Sequence, residues 1–219
     1  MIYFQKLKSA KKNQGMTYVE LIVVLGIFAV MSSVAIFNYG GFQARVDIRN
    51  LSNDVAIKII EAQKSALAGK FPVSTSQQTV VSDDLTWKPT YGVYFDLISS
   101  NKSFIYFIEL DNEEVDPDNF KTYAGSTPGG GNCVGECVEN INITKGNYIS
   151  EIKIFYYGGS TSVDPEIRLS FTRPDSAVMI VNNQGSIVPN VEYVQITVTS
   201  PKDESAYVKV YSSGRIQIN

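Results

Sequence analysis

Residues 21–37 read LIVVLGIFAVMSSVAIF, seventeen positions with no charged side chain, and no other stretch limits the fold as strongly. Counted from Met16 the segment holds twenty-two residues, of which Glu20 alone is charged near neutral pH. At a rise of ~1.5 Å per residue, a helix of that length reaches roughly 33 Å, enough to cross the hydrocarbon core of a bilayer. Lys6, Lys8, Lys11 and Lys12 precede it without an acid among them, and the next cation is Arg45. That asymmetry predicts a single span over about residues 16–38 with a cytoplasmic N-terminus.

Two plain readings leave something over. A secretory signal has an apolar core of ~7–15 residues followed by a small-x-small cleavage site. Here the core is longer, and Ala35-Ile-Phe-Asn-Tyr39 offers no such site. A simple membrane anchor accounts for the length but not for Glu20. A charge at the centre of a span costs roughly 2.5–3.5 kcal/mol on insertion scales, so a carboxylate there calls for a partner.

Gln14-Gly-Met-Thr-Tyr-Val-Glu20, behind a lysine-rich leader and ahead of the apolar run, resembles the processing motif of type IV prepilins and type II secretion pseudopilins. The resemblance implies that a membrane-embedded prepilin peptidase cuts between Gly15 and Met16 and that the Met16 amine is then N-methylated. It also implies that Glu20 of an incoming subunit pairs with the Met16 amine of its neighbour, since either charge alone is costly in lipid. Met16 stands where the family most often has Phe, and Tyr18 and Val19 replace the usual aliphatic pair. The implied partners are identical or related pilin subunits, the peptidase, an inner-membrane assembly platform and the lipid bilayer. The implied location is the cytoplasmic membrane before assembly and an extracellular or periplasmic filament after it.

Beyond the apolar run, Ile48, Leu51, Val55, Ile59, Ala62 and Ala66 recur at steps of three and four and share one helical face. Arg45, Arg49, Asn53 and Lys58 fall on other faces, with Asp54–Lys58 as an i,i+4 pair. Gly69, with Pro72 shortly after, is a stop signal. One helix from Met16 to Ala68 follows, half membrane-spanning and half amphipathic. Gly40-Gly41 lies between the halves, as a locally melted point or a tight helix–helix contact.

After Pro72 the chain turns to β-structure, in line with its thirteen Tyr and eleven Phe. Strands are expected at Tyr91–Leu97, Phe104–Leu110, Ile149–Tyr157, Glu166–Thr172, Ala177–Val181, Val191–Thr199 and Ala206–Tyr211. A hairpin through Ser212-Ser-Gly-Arg215 leads into Ile216–Ile218. Alternation in VEYVQITVT and AYVKVY predicts a sheet with one buried and one wet face. Tyr91-Gly-Val-Tyr-Phe and Ser103-Phe-Ile-Tyr-Phe resemble the β-domains of minor pilins and H-type pseudopilins. The expected organisation is a cleaved leader over 1–15, a helix over 16–69 and a β-rich domain over 70–219. The class is α+β, a long N-terminal helix packed on an antiparallel sheet domain.

The stretch Asp111–Asn147 is long for a connection and reads as a functional or mobile flap. It holds Cys133 and Cys137, the two cysteines of the chain. Outside the cytoplasm a pair this close most simply closes a disulfide. Zinc wants four ligands and the chain has no histidine, and a redox pair more typically reads Cys-x-x-Cys near a βαβ unit. Asp111, Glu113, Asp116 and Asp118 offer hard oxygens for calcium, but the glycine and terminal Glu of an EF-hand loop are missing. A solvated acidic turn is the competing reading, and no other cofactor is indicated.

Setting the four leader lysines aside leaves fifteen basic against twenty-two acidic side chains, a charge of -7. An acidic body repels polyphosphate, which argues against a general nucleic-acid surface and leaves room only for a local basic strip. DNA binding therefore has no support in the sequence. The absence of histidine removes the commonest general base, and no G-x-S-x-G, H-E-x-x-H, Walker A or Rossmann pattern occurs. The expected role is thus a non-enzymatic structural subunit of a type IV pilus or secretion pseudopilus. The alternative is a minor tip subunit that binds a surface, DNA or secretion cargo.

Overall fold

The computed structural model describes residues 16–72, 74, 77–78, 90–110, 125–130 and 133–219. The leader with Gly15, and the acidic positions Asp111, Glu113, Asp116 and Asp118, lie outside the described residues. One helix, α1, runs Tyr18–Leu67. Ten strands follow: β1 Thr90–Asp96, β2 Ser103–Glu109, β3 Cys137–Asn142, β4 Tyr148–Tyr156, β5 Thr161–Val163, β6 Glu166–Thr172, β7 Val178–Asn182, β8 Val191–Thr199, β9 Ser205–Tyr211 and β10 Ile216–Ile218. The chain divides into two compact units between Phe42 and Gln43.

In the first unit α1 is uncharged from Leu21 to Phe37 and its large apolar side chains there are exposed, with Phe37 at 85% accessibility. It is long and apolar enough to cross a membrane by length and composition. Helical geometry continues through Gly40 and Gly41, so the glycine pair does not melt the helix. A Cβ placed on Gly41 would meet nothing, so no contact within the chain requires a glycine there.

In the second unit the remainder of α1 buries Ile48, Leu51, Val55, Ile59, Ala62 and Ala66, the face its periodicity predicts. Small residues on that face, Ser52 and Ala56 among them, allow close approach to the strands. The Tyr106 hydroxyl donates to Ser65 Oγ at 3.0 Å. The Lys58 ammonium turns to Glu61 and Glu139 at 3.0 and 2.7 Å, so its partners lie one turn ahead and on β3 and not at Asp54. Burial lowers the pKa of Lys58, but the hydrogen bonds and charges of Glu139 and Glu61 outweigh it and hold the ammonium above its usual range. The helix ends in a Schellman turn: Lys70 N–H donates to the Ser65 carbonyl, Gly69 N–H to that of Ala66, and Gly69 supplies the positive φ of 64°.

The strands form two antiparallel five-stranded sheets, in the orders β3-β2-β1-β6-β7 and β10-β9-β8-β4-β5. Both sheets and α1 contribute to one core, which includes Phe95, Phe104, Ile59, Ile152 and Ile196. A long helix packed on antiparallel sheet structure is the expected α+β arrangement, and the strands divide between two sheets. Five strands ~4.8 Å apart make a surface of roughly 20 Å, about twice the ~10 Å width of a helix, so α1 alone leaves part of a sheet uncovered. The inner face of the second sheet covers the rest. A smaller cluster of Tyr94, Ile105, Phe107 and Cys137 fills the opposite face of the first sheet. Gly92 lets the Phe107 ring lie on that sheet, since a Cβ there would collide with the ring and with the Leu169 carbonyl.

Candidate functional site

Met16, Thr17 and Glu20, the described part of the segment that resembles a prepilin processing motif, lie at the start of α1. Thr17 is the last residue before the helix, and its hydroxyl accepts the Glu20 N–H at 3.3 Å. Leu21 N–H closes the first helical bond to the Thr17 carbonyl at 3.1 Å. Thr17 is therefore the N-cap and Glu20 occupies the third helical position, the spacing of a capping box. The sequence carries this signal as Thr17-x-x-Glu20, a spacing that an ion-pair role for the acid does not require. Met16 and Glu20 are both exposed at this helix end. A carboxylate here also faces the positive end of the helix dipole, worth ~0.3–1 kcal/mol at an exposed terminus.

Cys133 and Cys137 form a disulfide, with their Cα atoms 5.2 Å apart. The loop they close is a junction of three segments. The buried Gln77 amide donates to the carbonyls of Gly135 and Cys137 at 2.9 and 3.1 Å. The Glu136 carbonyl accepts Ile108 N–H at 2.9 Å, and its carboxylate accepts Leu110 N–H. On the far side Val134 N–H reaches the Ser126 hydroxyl, and Gly125 bridges Gly135. Such a knot of backbone partners holds the loop against the end of β2.

Part of the stretch expected to be a flap is thus strand: β3 pairs with β2 along Ser103–Phe107. Among the described residues no group of three or more His, Cys, Asp or Glu side chains is placed to hold a metal ion. A cleft of about 480 Å³ opens beside β7, lined by Val178, Ile180, Ile187, Val188 and Val191 with Tyr157 at its margin.

On the outer face of the first sheet the Tyr94 hydroxyl donates to the Glu166 carboxylate at 3.0 Å. Burial, with Asp96 nearby, raises the Glu166 pKa against the opposing effects of Tyr94 and Arg168. Burial is also the main cause that pushes the Tyr94 phenol far above its usual range. Comparison with known proteins finds no matching family model, curated protein or solved structure.

Proposed function

We propose that this chain is a prepilin-type subunit, a structural component of a type IV pilus or a type II secretion pseudopilus. The observation that carries the reading is the compound N-terminus. A basic leader ends at Gly15, an acid stands at Glu20, and an exposed apolar helix follows and continues into a folded β-domain. In this reading the peptidase cuts after Gly15, and the Met16 amine stays cationic when methylated. Glu20 of the next subunit then compensates that amine in the membrane, which selects the axial register of assembly.

Mass spectrometry of native material tests the processing step. The mature chain should begin at Met16 with one added methyl group, and a chain beginning at Met1 or cut after Ala35 would overturn the assignment. The assembly step is tested by Glu20→Gln. This variant should insert, be processed and keep a folded β-domain, yet fail to build filaments unless wild-type subunits are present. A plain anchor predicts a silent substitution, so normal filaments at normal subunit levels would refute the pairing. Immunogold labelling against the β-domain distinguishes a shaft subunit from a rare tip component that binds a surface or cargo.

A further inference from the structure

The chain holds three Asn-x-Ser/Thr triplets without a central proline: Asn50-Leu-Ser52, Asn101-Lys-Ser103 and Asn142-Ile-Thr144. Such a triplet is the acceptor signal for an N-linked glycan in an exported protein. Both its ends matter, because the asparagine amide receives the sugar and the hydroxyl two residues on is read with it. The fold treats the three triplets differently. Asn50 is exposed, but Ser52 is wholly buried and its hydroxyl donates to the Arg49 carbonyl at 2.8 Å. On a helix, residues i and i+2 point ~200° apart, so these two groups do not face one enzyme together. Asn101 lies in the turn between β1 and β2, while Ser103 is buried at the start of β2 and its hydroxyl donates to Ser100 Oγ at 3.0 Å.

The third triplet is open at both ends. Asn142 is the last residue of β3, an edge strand of the first sheet, and the triplet runs on into the turn before β4. Asn142 is exposed, Ile143 is buried in the core and Thr144 is exposed again. That alternation belongs to extended chain, in which side chains i and i+2 share a face. Amide and hydroxyl therefore project into solvent together, and neither is hydrogen-bonded to another described residue. The same strand begins at Cys137, whose disulfide with Cys133 is a bond that persists in oxidising compartments outside the cytoplasm. Export of the domain thus has support independent of the triplet.

We propose that Asn142 is an N-glycosylation site. The donor is a lipid-linked oligosaccharide, attached at its anomeric carbon to a phosphate oxygen, and a membrane transferase supplies the base. The Asn142 Nδ2 forms a bond to that carbon as the bond from carbon to phosphate oxygen breaks. The lipid phosphate leaves with the bonding electrons, and Nδ2 gives up one proton to the base. The glycan stands at the end of an edge strand, the kind of strand that invites pairing with another chain, and its bulk and hydration oppose that contact. Such a modification requires export of the domain and not filament assembly.

The test uses the full chain isolated from its native cells and digested with trypsin. The peptide 122–145 contains Asn142, and it should be heavier than its sequence mass and release sugar fragment ions in tandem mass spectrometry. Asn142→Gln and Thr144→Ala should each abolish the added mass, whereas Thr144→Ser keeps the hydroxyl and should retain it. Both side chains are exposed, so these variants keep the fold, and an intact Cys133–Cys137 link in the unreduced digest checks this. The N-terminal peptide of the same digest reports processing at Met16 separately. A peptide 122–145 at its unmodified mass, or added mass that survives either Asn142→Gln or Thr144→Ala, overturns the proposal. Sugar on Asn50 or Asn101 with Asn142 bare overturns the choice of site.

Discussion

Gly214 joins the β9–β10 turn to the helix, and Gly214→Ala should be among the most damaging single-methyl changes in the domain. Its φ of 83° lies in the left-handed region, where an L-residue pays about 1–2 kcal/mol. A Cβ at this position would also collide with the Ser176 carbonyl, which is backbone and cannot rotate away, and with the Gln63 amide. That amide bridges the carbonyls of Ser176 and Gly214 at 3.1 Å each and so ties α1 to two loops. Losing both bonds adds about 1–3 kcal/mol at the usual net value per hydrogen bond. The total is roughly 2–5 kcal/mol, or about 5–15 °C in Tm for a domain of this size. Thermal unfolding of the solubilised chain, followed by circular dichroism, measures it. Gln63→Ala should show the hydrogen-bond part alone, and the double variant should lose less than the sum because one collision partner is gone. A Gly214→Ala shift below about 2 °C would refute the argument.

Replacing Cys133 and Cys137 by Ser should cost ~2 kcal/mol on the chain-entropy scale for so short a loop. Non-reducing peptide mapping should find one linked fragment, and two freely alkylatable thiols in native material would contradict it. Glu166→Gln tests the half-buried carboxylate. Because the folded pKa of Glu166 is raised, the native state holds its proton longer than the unfolded chain, so this group loses stability as pH rises from its unfolded pKa of ~4.3 upward. The Tm advantage of the variant over wild type should therefore grow between mildly acidic and neutral pH, and an advantage that shrinks would reverse the sign.

What the sequence revealed depended on how local the cause was. Spacing alone placed the buried face of α1, and Gly69 before Pro72 marked its end. Eight strands were legible from alternation or turn residues, within about a residue of their observed bounds. The edge strands β3 and β5 were not. CVENIN does not alternate because only Cys137 is buried, and TSV is too short to show a period. Division into two sheets was also hidden, since alternation tells which side of a strand is buried and not which strand lies beside it. The row of Lys153, Gln195 and Lys209 on the second sheet has the same origin: Lys153 lies fifty-six residues before Lys209, and only cross-strand register aligns them.

The capping geometry changes how Glu20 should be weighed. Glu20 stands in the first turn of α1, near the end of the apolar span, where a carboxylate gains ~0.3–1 kcal/mol from the helix dipole. Moreover, the bond to Thr17 is made by the Glu20 backbone N–H and not by its carboxylate, so Glu20→Gln or Glu20→Leu leaves that bond intact. The carboxylate is therefore dispensable for starting the helix. In the proposed reading, cleavage between Gly15 and Met16 would create a formal positive charge at this helix end as a partner for the carboxylate. Local capping and intersubunit pairing are thus consistent: the backbone of Glu20 serves the first, which leaves its side chain for the second.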